Sequence, residues 1–278
     1  MSETIAVFPT PRPFIRRVPV DRPWAWLAAG WRDIVAAPGA SLSYGLVPVA
    51  AGWLAIVLML RFDLPYLVLP LSAGFFYVGP FIATGLYEIS RRLEAGQPVD
   101  GKSTLMAWRR NPEQIALMGV LLLLFHLAWM RMAQLLFALF EFRTVPSWDR
   151  FLDLVWTTSK SLPFLALGIG LGAFLAAIAF AIGAFSIPYL LDRRNSNMFE
   201  AIATSVAATR LNFRPMLLWA AVIVFLTGLG MIVGLLGLVV TLPLVAHATW
   251  HAYRDVISFE PEPAEGTSLT QPTLRNIP

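Results

Sequence analysis

The 278-residue chain is 57% hydrophobic and only 14% charged, and its mean hydropathy is +0.66. A soluble domain of this size has too little interior for so much apolar surface, so the composition predicts an integral membrane protein. The chain has 21 Lys and Arg against 17 Asp and Glu. Because basic residues in membrane proteins mark cytoplasmic loops, this balance is no argument for a nucleic-acid partner. The absence of cysteine excludes disulfides, thiolate metal sites and cysteine nucleophiles.

The chain begins with a basic segment, residues 1–23, which we expect to be cytoplasmic. An amphipathic helix over residues 24–37 is predicted next, lying in the membrane interface, with Arg32 and Asp33 facing water. Its apolar face is formed by Trp24, Leu27, Trp31, Ile34 and Val35. Shorter interfacial helices are predicted around residues 105–108 and 199–213.

Uncharged stretches of membrane-spanning length follow. The last of them, 215–253, is about twice as long as a bilayer core when built as one helix, so it must fold back. The glycines that could form the turn are Gly228, Gly230, Gly234 and Gly237. The predicted spans are residues 41–61, 65–90, 113–138, 163–190, 215–231 and 233–253.

These elements predict an all-α fold, a polytopic membrane bundle of six transmembrane helices with short interfacial helices. The interfacial helix, outgoing span and returning span occur three times in the same order, which predicts a three-fold helical-hairpin repeat. The organisation is then a six-span membrane domain over residues 24–255 and a disordered cytoplasmic tail over residues 256–278, which is rich in proline.

The distribution of basic residues predicts the orientation. Sixteen of the 21 lie in the N-terminal segment, the loops after spans two and four, or the C-terminal tail, whereas four lie in the opposite loops and Arg131 lies within span three. An even number of spans with this asymmetry places both termini in the cytoplasm, in a bacterial inner membrane.

Ionisable residues at membrane depth are the candidates for chemistry. His247 and His251 are four residues apart on one helical face, with Glu88 and Asp192 at comparable depth, so one hypothesis is a metal site formed by these four residues. The preferred interpretation is an interfacial belt with no cofactor, formed by Trp250, His251 and Tyr253. A haem held by two histidines is disfavoured, because His126 lies deeper in the membrane than His247.

Partners are predicted from the spans themselves. All spans contact the lipid bilayer, and Gly168 and Gly172 form a GxxxG pattern in span four that allows close helix contact. Internal packing is the preferred use of this pattern, and a membrane-protein partner or a homo-oligomer is the alternative.

The sequence resembles a family of uncharacterised bacterial integral membrane proteins over about residues 14–258. The resemblance is carried by Gly79-Pro80, by Tyr87-Glu88 and by the closing segment from His247 to Asp255. Some members of that family are labelled putative cytochrome c oxidase subunit I, and the resemblance implies the same label here. It implies a multi-span inner-membrane protein and leaves the activity open.

The function expected from these observations is that of a non-enzymatic accessory, assembly or interaction subunit, linked by the resemblance to the respiratory chain. One alternative is a small transporter or channel, suggested by prolines in the returning spans. The other is a metal-dependent membrane enzyme that uses His247, His251 and Glu88.

Overall fold

The computed structural model describes residues 13–62, 82–140 and 161–259. The described chain is helical apart from one short pair of strands, so the all-α prediction is confirmed. In chain order the elements are β1 (Phe14–Ile15), α1 (Arg22–Ala36), α2 (Pro38–Arg61), α3 (residues 82–94), α4 (Gly101–Leu105), a 3-10 helix (Ala107–Arg110), α5 (Pro112–Leu139), α6 (Ser161–Gly183), α7 (Ser186–Asp192), α8 (Met198–Leu211), α9 (Phe213–Ile232), α10 (Leu238–Val256) and β2 (Ile257–Ser258).

Four stretches of the described chain are long and apolar enough to cross a membrane, namely Pro38–Leu58, Pro112–Leu136, Leu162–Asp192 and Phe213–Ile232. They coincide with predicted spans one, three, four and five. Most of predicted span two lies outside the described residues. Predicted span six is the helix α10, whose polar second half makes it less apolar than the other four. Six spans and a three-fold repeat stay predictions.

Prolines and polar caps start the helices. Pro23, Pro38 and Pro112 lie in the first turns of α1, α2 and α5, where a residue without a backbone N–H loses no helical hydrogen bond. Asn197 caps α8 by accepting a hydrogen bond from the backbone N–H of Glu200 at 2.9 Å. The interfacial segments predicted before spans one and five are therefore separate helices.

Predicted span four is divided into two helices, α6 and α7. The break lies at residues 184–185, where the backbone N–H of Phe185 donates to Ser205 Oγ at 3.2 Å. The same hydroxyl donates to the carbonyl oxygen of Ala181 at 2.8 Å. Ser205 on α8 thus bonds backbone groups at the interruption, which is how a buried break is tolerated.

The turn between α9 and α10 occupies residues 233–237, within the range that the glycines indicated. Gly234 and Leu235 both have positive φ angles, 62° and 67°. Gly230 and Gly237 face each other across this turn, and a Cβ atom on Gly237 would lie 2.7 Å from the Cα atom of Gly230. Glycine at these two positions lets the two helices approach closely.

Helix α1 packs along α10, and this packing reverses part of the predicted orientation. Trp24 and Trp31 are about half exposed, as expected for an interfacial face, whereas Trp26 and Asp33 are buried. The prediction that Asp33 faces water is wrong, because Asp33 lies on the face that contacts α10 and bonds to His251 there. Arg32 is exposed, as expected.

The two ends of the described chain meet. β1 pairs with β2 in antiparallel register, with Phe14 opposite Ser258. Ile257 is fully buried, so ordered chain extends past the predicted start of the tail at residue 256. Residues 1–12 and 260–278 lie outside the described residues, and the predicted disorder of the tail falls almost entirely among them.

Candidate functional site

The candidate site lies where α1, α2, α3 and α10 come together. Two glycines allow this convergence. A Cβ atom on Gly30 of α1 would lie 2.7 Å from the backbone nitrogen of Ala248, and one on Gly45 of α2 would lie 2.7 Å from the carbonyl carbon of Val239. Without side chains at these positions, α1 and α2 lie directly on the backbone of α10.

A buried hydrogen-bond chain occupies this junction. Its centre is His247, which is completely buried together with Ser41 and Ser90. The Nε2 atom of His247 lies 3.0 Å from Ser41 Oγ, and its Nδ1 atom lies 2.7 Å from Ser90 Oγ. Both ring nitrogens are therefore bonded inside the protein, which offsets the cost of burying them.

The chain continues from Ser90 to Asp33 and His251. The Ser90 hydroxyl donates to Asp33 Oδ2 at 2.6 Å. His251 Nε2 lies 2.8 Å from the same carboxylate oxygen, and the His251 side chain is 25% exposed. The five groups thus link a partly exposed imidazole to a fully buried serine. We call this set, Ser41, His247, Ser90, Asp33 and His251, the buried relay.

The proton positions in the buried relay follow from the number of donors. Ser90 has one hydroxyl proton and donates it in the hydrogen bond to Asp33, so its oxygen accepts a hydrogen bond from the N–H at His247 Nδ1. In a neutral ring, Nε2 then accepts from the Ser41 hydroxyl. We assign this tautomer from the hydrogen-bond network. It leaves every member of the relay with a hydrogen-bond partner.

Glu88 is held by two arginines. The Nε and Nη2 atoms of Arg91 each donate to the Glu88 carboxylate at 2.7 Å, and Arg92 Nε donates to it at 2.8 Å. The Glu88 side chain is only 3% exposed. A buried carboxylate requires such pairing, because an unpaired charge there is strongly disfavoured. Both arginines lie three or four residues after Glu88 in the same helix, so these pairs form within α3.

Asp192 belongs to a third polar group at the end of α7. It accepts a hydrogen bond from the Tyr253 hydroxyl at 2.8 Å and lies 3.6 Å from Arg254 Nη1. Arg254 and Trp250 in turn donate to Glu94, each at 3.0 Å. These contacts join α3, α7 and α10, so the predicted aromatic belt residues Trp250 and Tyr253 are buried bonding groups.

The four predicted metal ligands are therefore not gathered at one point. His247 and His251 are brought together around Asp33, whereas Glu88 and Asp192 are bonded to other residues. Within the described ranges, His, Asp and Glu do not form a group of three or more that could hold a metal ion. The four-residue metal site stays a prediction, and the metal content of the purified protein tests it.

Two other polar residues of predicted span three lie on α5. His126 is half-buried there. Arg131 is exposed and donates to Gln134 Oε1 at 3.1 Å.

Sequence reasoning missed three members of the buried relay, Asp33, Ser41 and Ser90. One signal for Asp33 was present, because Trp26, Gly30 and Asp33 are spaced as one helical face. The aromatic residues Trp24 and Trp31 lie on a different face of the same helix, and packing that face into the membrane interface predicts that Asp33 faces water. Ser41 and Ser90 carry no local signal, since single serines are ordinary in membrane helices.

An ion pair and a tryptophan hydrogen bond join the start of α1 to the end of α10, and we call these contacts the clamp. Arg22 donates to Asp255 through Nε at 2.6 Å and Nη2 at 3.1 Å, and Trp26 Nε1 donates to it at 2.9 Å. Burial raises the pKa of the Asp255 carboxyl, but the hydrogen bonds and the charge of Arg22 outweigh burial, so its pKa is lowered below the ordinary 3.8.

Comparison with known proteins finds a match to a protein family over part of the chain. A family model described as a predicted integral membrane protein (DUF2189) matches residues 68–192. The match confirms the resemblance to a family of uncharacterised integral membrane proteins over residues 68–192, which excludes the closing segment from His247 to Asp255. The cytochrome c oxidase label is not confirmed. The chain matches neither a curated protein nor a solved structure.

Proposed function

We propose that this integral membrane protein is a non-enzymatic subunit of the bacterial inner membrane that binds other membrane proteins, as an accessory or assembly factor. The observation that carries the proposal is the use of its polar side chains. Side chains within the buried relay and within the Asp192 group bond to one another across helices, and Glu88 is paired within α3. Ser41, Ser90 and His247 are inaccessible to a substrate.

The apolar surface supports a binding role. No residue of the most apolar 18-residue window of Leu162–Asp192 is buried within the chain. Ile169 and Phe174 on α6 are 68% and 62% exposed. In a membrane such a helix surface contacts lipid or another protein. Gly168 and Gly172 do not belong to this surface, because they lie against Leu136 and Trp129 of α5.

The orientation with both ends in the cytoplasm is also a proposal. The pairing of β1 with β2 supports an even number of crossings between residues 15 and 257, since paired strands lie on the same side of the membrane. The arginine excess of the loops supports the cytoplasm as that side. The link to the respiratory chain rests on the resemblance alone.

Photo-crosslinking in native membranes tests the binding role. A photo-reactive amino acid replaces Ile169 or Phe174, and a matched control replaces Phe213, which is 63% exposed but lies at the start of α9. We expect discrete protein adducts from the α6 positions, identified by mass spectrometry. An adduct of twice the chain's mass would make the partner a second copy. Lipid adducts alone at both α6 positions would contradict the proposal.

A second function, proton transfer as part of a small transporter, is favoured by one observation. The buried relay connects the partly exposed His251 to the buried Ser41 through hydrogen bonds of 2.6–3.0 Å. In proteoliposomes with an internal pH-sensitive dye, a transporter would acidify the lumen under a pH gradient and lose this activity in Ser90→Ala. An accessory subunit would show no difference from empty vesicles.

A further inference from the structure

A groove lies between the N-terminal segment and the junction of α8 and α9, outside the polar groups described above. It has a volume of about 350 Å³ and is lined by three arginines, Arg17, Arg210 and Arg214, and by no acidic residue. All three arginines are exposed. Among the described residues, no carboxylate lies within ion-pair distance of them.

The groove is built by the fold. Asn212, which is 3% exposed, accepts a hydrogen bond from the Val18 backbone N–H at 2.9 Å and donates to the Arg16 carbonyl oxygen at 2.9 Å. These two bonds fix the backbone on both sides of Arg17. Arg210 and Arg214 lie on the last turn of α8 and the first turn of α9, two residues to either side of Asn212. One buried amide therefore brings three arginines to the lining of one groove.

Electrostatics predicts what such a site binds. Three like charges around one concave surface repel one another, and this repulsion is relieved when an anion enters. Arginine presents several N–H groups in a planar fork that matches the oxygens of a phosphate. The contrasting groove beside α7 contains Asp192 and Glu200 among its lining residues, so its arginines already have acidic neighbours.

The rim of the groove indicates an amphiphile. Val20, Leu211 and Phe213 line it, and they are 49%, 40% and 63% exposed. It opens at the first turn of α9, one of the four helices apolar enough to cross a membrane, so it lies at the depth of the lipid headgroups. Basic residues beside apolar ones at this depth are typical of sites for anionic lipids.

We propose that the groove formed by Arg17, Arg210 and Arg214 binds the phosphate headgroup of an anionic phospholipid, with the acyl chains lying against Val20, Leu211 and Phe213. A free phosphate ion would bind the same arginines through the same hydrogen bonds, but it would not contact the apolar rim.

Lipid retention tests this proposal. The full chain, purified in a neutral detergent, is incubated with equal parts of phosphatidylglycerol and phosphatidylcholine, and native mass spectrometry counts the bound lipids. We expect phosphatidylglycerol to be retained preferentially, and Arg210→Gln/Arg214→Gln to lower its affinity by about tenfold or more. The control Arg32→Gln/Arg194→Gln removes the same charge from exposed positions outside the groove and should lower it less than about twofold.

Three results would overturn the assignment. They are equal losses in the two double variants, equal retention of phosphatidylcholine, and displacement of the lipid by inorganic phosphate at similar concentration. Thermal unfolding of both variants checks that they fold. If the Arg210/Arg214 variant unfolds early, Arg17→Gln provides the same test, because the Arg17 side chain is exposed and the bonds from Asn212 to this segment go to the backbone of Arg16 and Val18.

Discussion

Ser90 connects the two halves of the buried relay through a single hydroxyl group. In Ser90→Ala, His247 Nδ1 and Asp33 Oδ2 each lose a bond while staying buried. Because burying an unpaired polar group is costly, we expect the free energy of unfolding to fall by about 1–3 kcal/mol. Thermal or chemical unfolding in a mild detergent measures this change.

Ser43→Ala is the matched control for that experiment. Ser43 is exposed and donates only to the carbonyl oxygen of Ala40, within its own helix. Its replacement should change the unfolding free energy by less than about 0.5 kcal/mol. Equal effects of the Ser90 and Ser43 changes would show that the buried relay does not stabilise the helix junction.

The clamp between Arg22 and Asp255 makes part of the stability depend on pH. Since the pKa of Asp255 is lowered by folding, its contribution is fully present above the ordinary value of 3.8 and is lost as pH falls through the lower, folded value. At neutral pH we expect Asp255→Asn to lower the unfolding free energy by about 1 kcal/mol or less, because Arg22 is about half exposed.

Unfolding curves of wild type and Asp255→Asn across a pH series check that expectation. The difference between the two proteins should shrink toward zero at strongly acidic pH. Arg22→Gln should reproduce most of the loss at neutral pH, since it removes the same pair from the other side. A difference that persists unchanged in acid would mean that Asp255 acts through its shape and not its charge.

Residue types predicted the candidate site only in part. The spacing of His247 and His251 placed both rings on one helical face, and both indeed bond in the same cluster. The groups that bond to them come from α1, α2 and α3, far away in the chain. Hydrophobic periodicity identifies which face of a helix is apolar, but it does not identify which other helix covers that face.

At the scale of helices, the close contact of α2 with α10 depends on Gly45. A Cβ atom there would meet the Val239 backbone, which cannot rotate away as a side chain could. We expect Gly45→Ala to push the helices apart and lower the unfolding free energy by about 1–3 kcal/mol, as overpacking does. The midpoint of thermal unfolding in detergent measures the change.

Gly39→Ala supplies the control within the same helix. A Cβ atom on Gly39 would have no neighbour within 4 Å. Because alanine stabilises a helix relative to glycine, Gly39→Ala should leave the midpoint unchanged or raise it slightly. If Gly45→Ala behaves like Gly39→Ala, then α2 does not lie on the α10 backbone in the folded protein.

Helix positions were easier to predict than helix breaks. Charged residues at the ends of apolar runs predicted α2, α5 and α9 to within a few residues. The division between α6 and α7 was missed, because Phe185 is not a helix-breaking residue. The carbonyl of Ala181 and the N–H of Phe185 instead bond to Ser205 of α8, a contact between distant parts of the chain.

At the scale of the whole molecule, the meeting of the two chain ends constrains how often the chain crosses the membrane. Residues 14–15 and 257–258 form one small sheet, and Arg16 also donates to the carbonyl oxygen of Val256 at 2.8 Å. Both segments therefore lie on the same membrane side. An odd number of crossings between them would require the sheet to be broken.

The orientation prediction follows from this pairing together with the charge distribution. The six-span arrangement would place sixteen of the 21 basic residues on the side of the chain ends, and that side should then be the cytoplasm. A fluorescent reporter that matures only in the cytoplasm should be active when fused after Pro278, and a phosphatase that is active only in the periplasm should be active when inserted at Pro146. Removing Phe14 and Ile15, which form β1, should leave both signals unchanged. The reason is that the charged loops set the orientation, whereas the paired strands only join the two ends of the chain. A phosphatase signal at Pro278 would place that chain end in the periplasm, and the six-span arrangement with both ends in the cytoplasm would then be wrong.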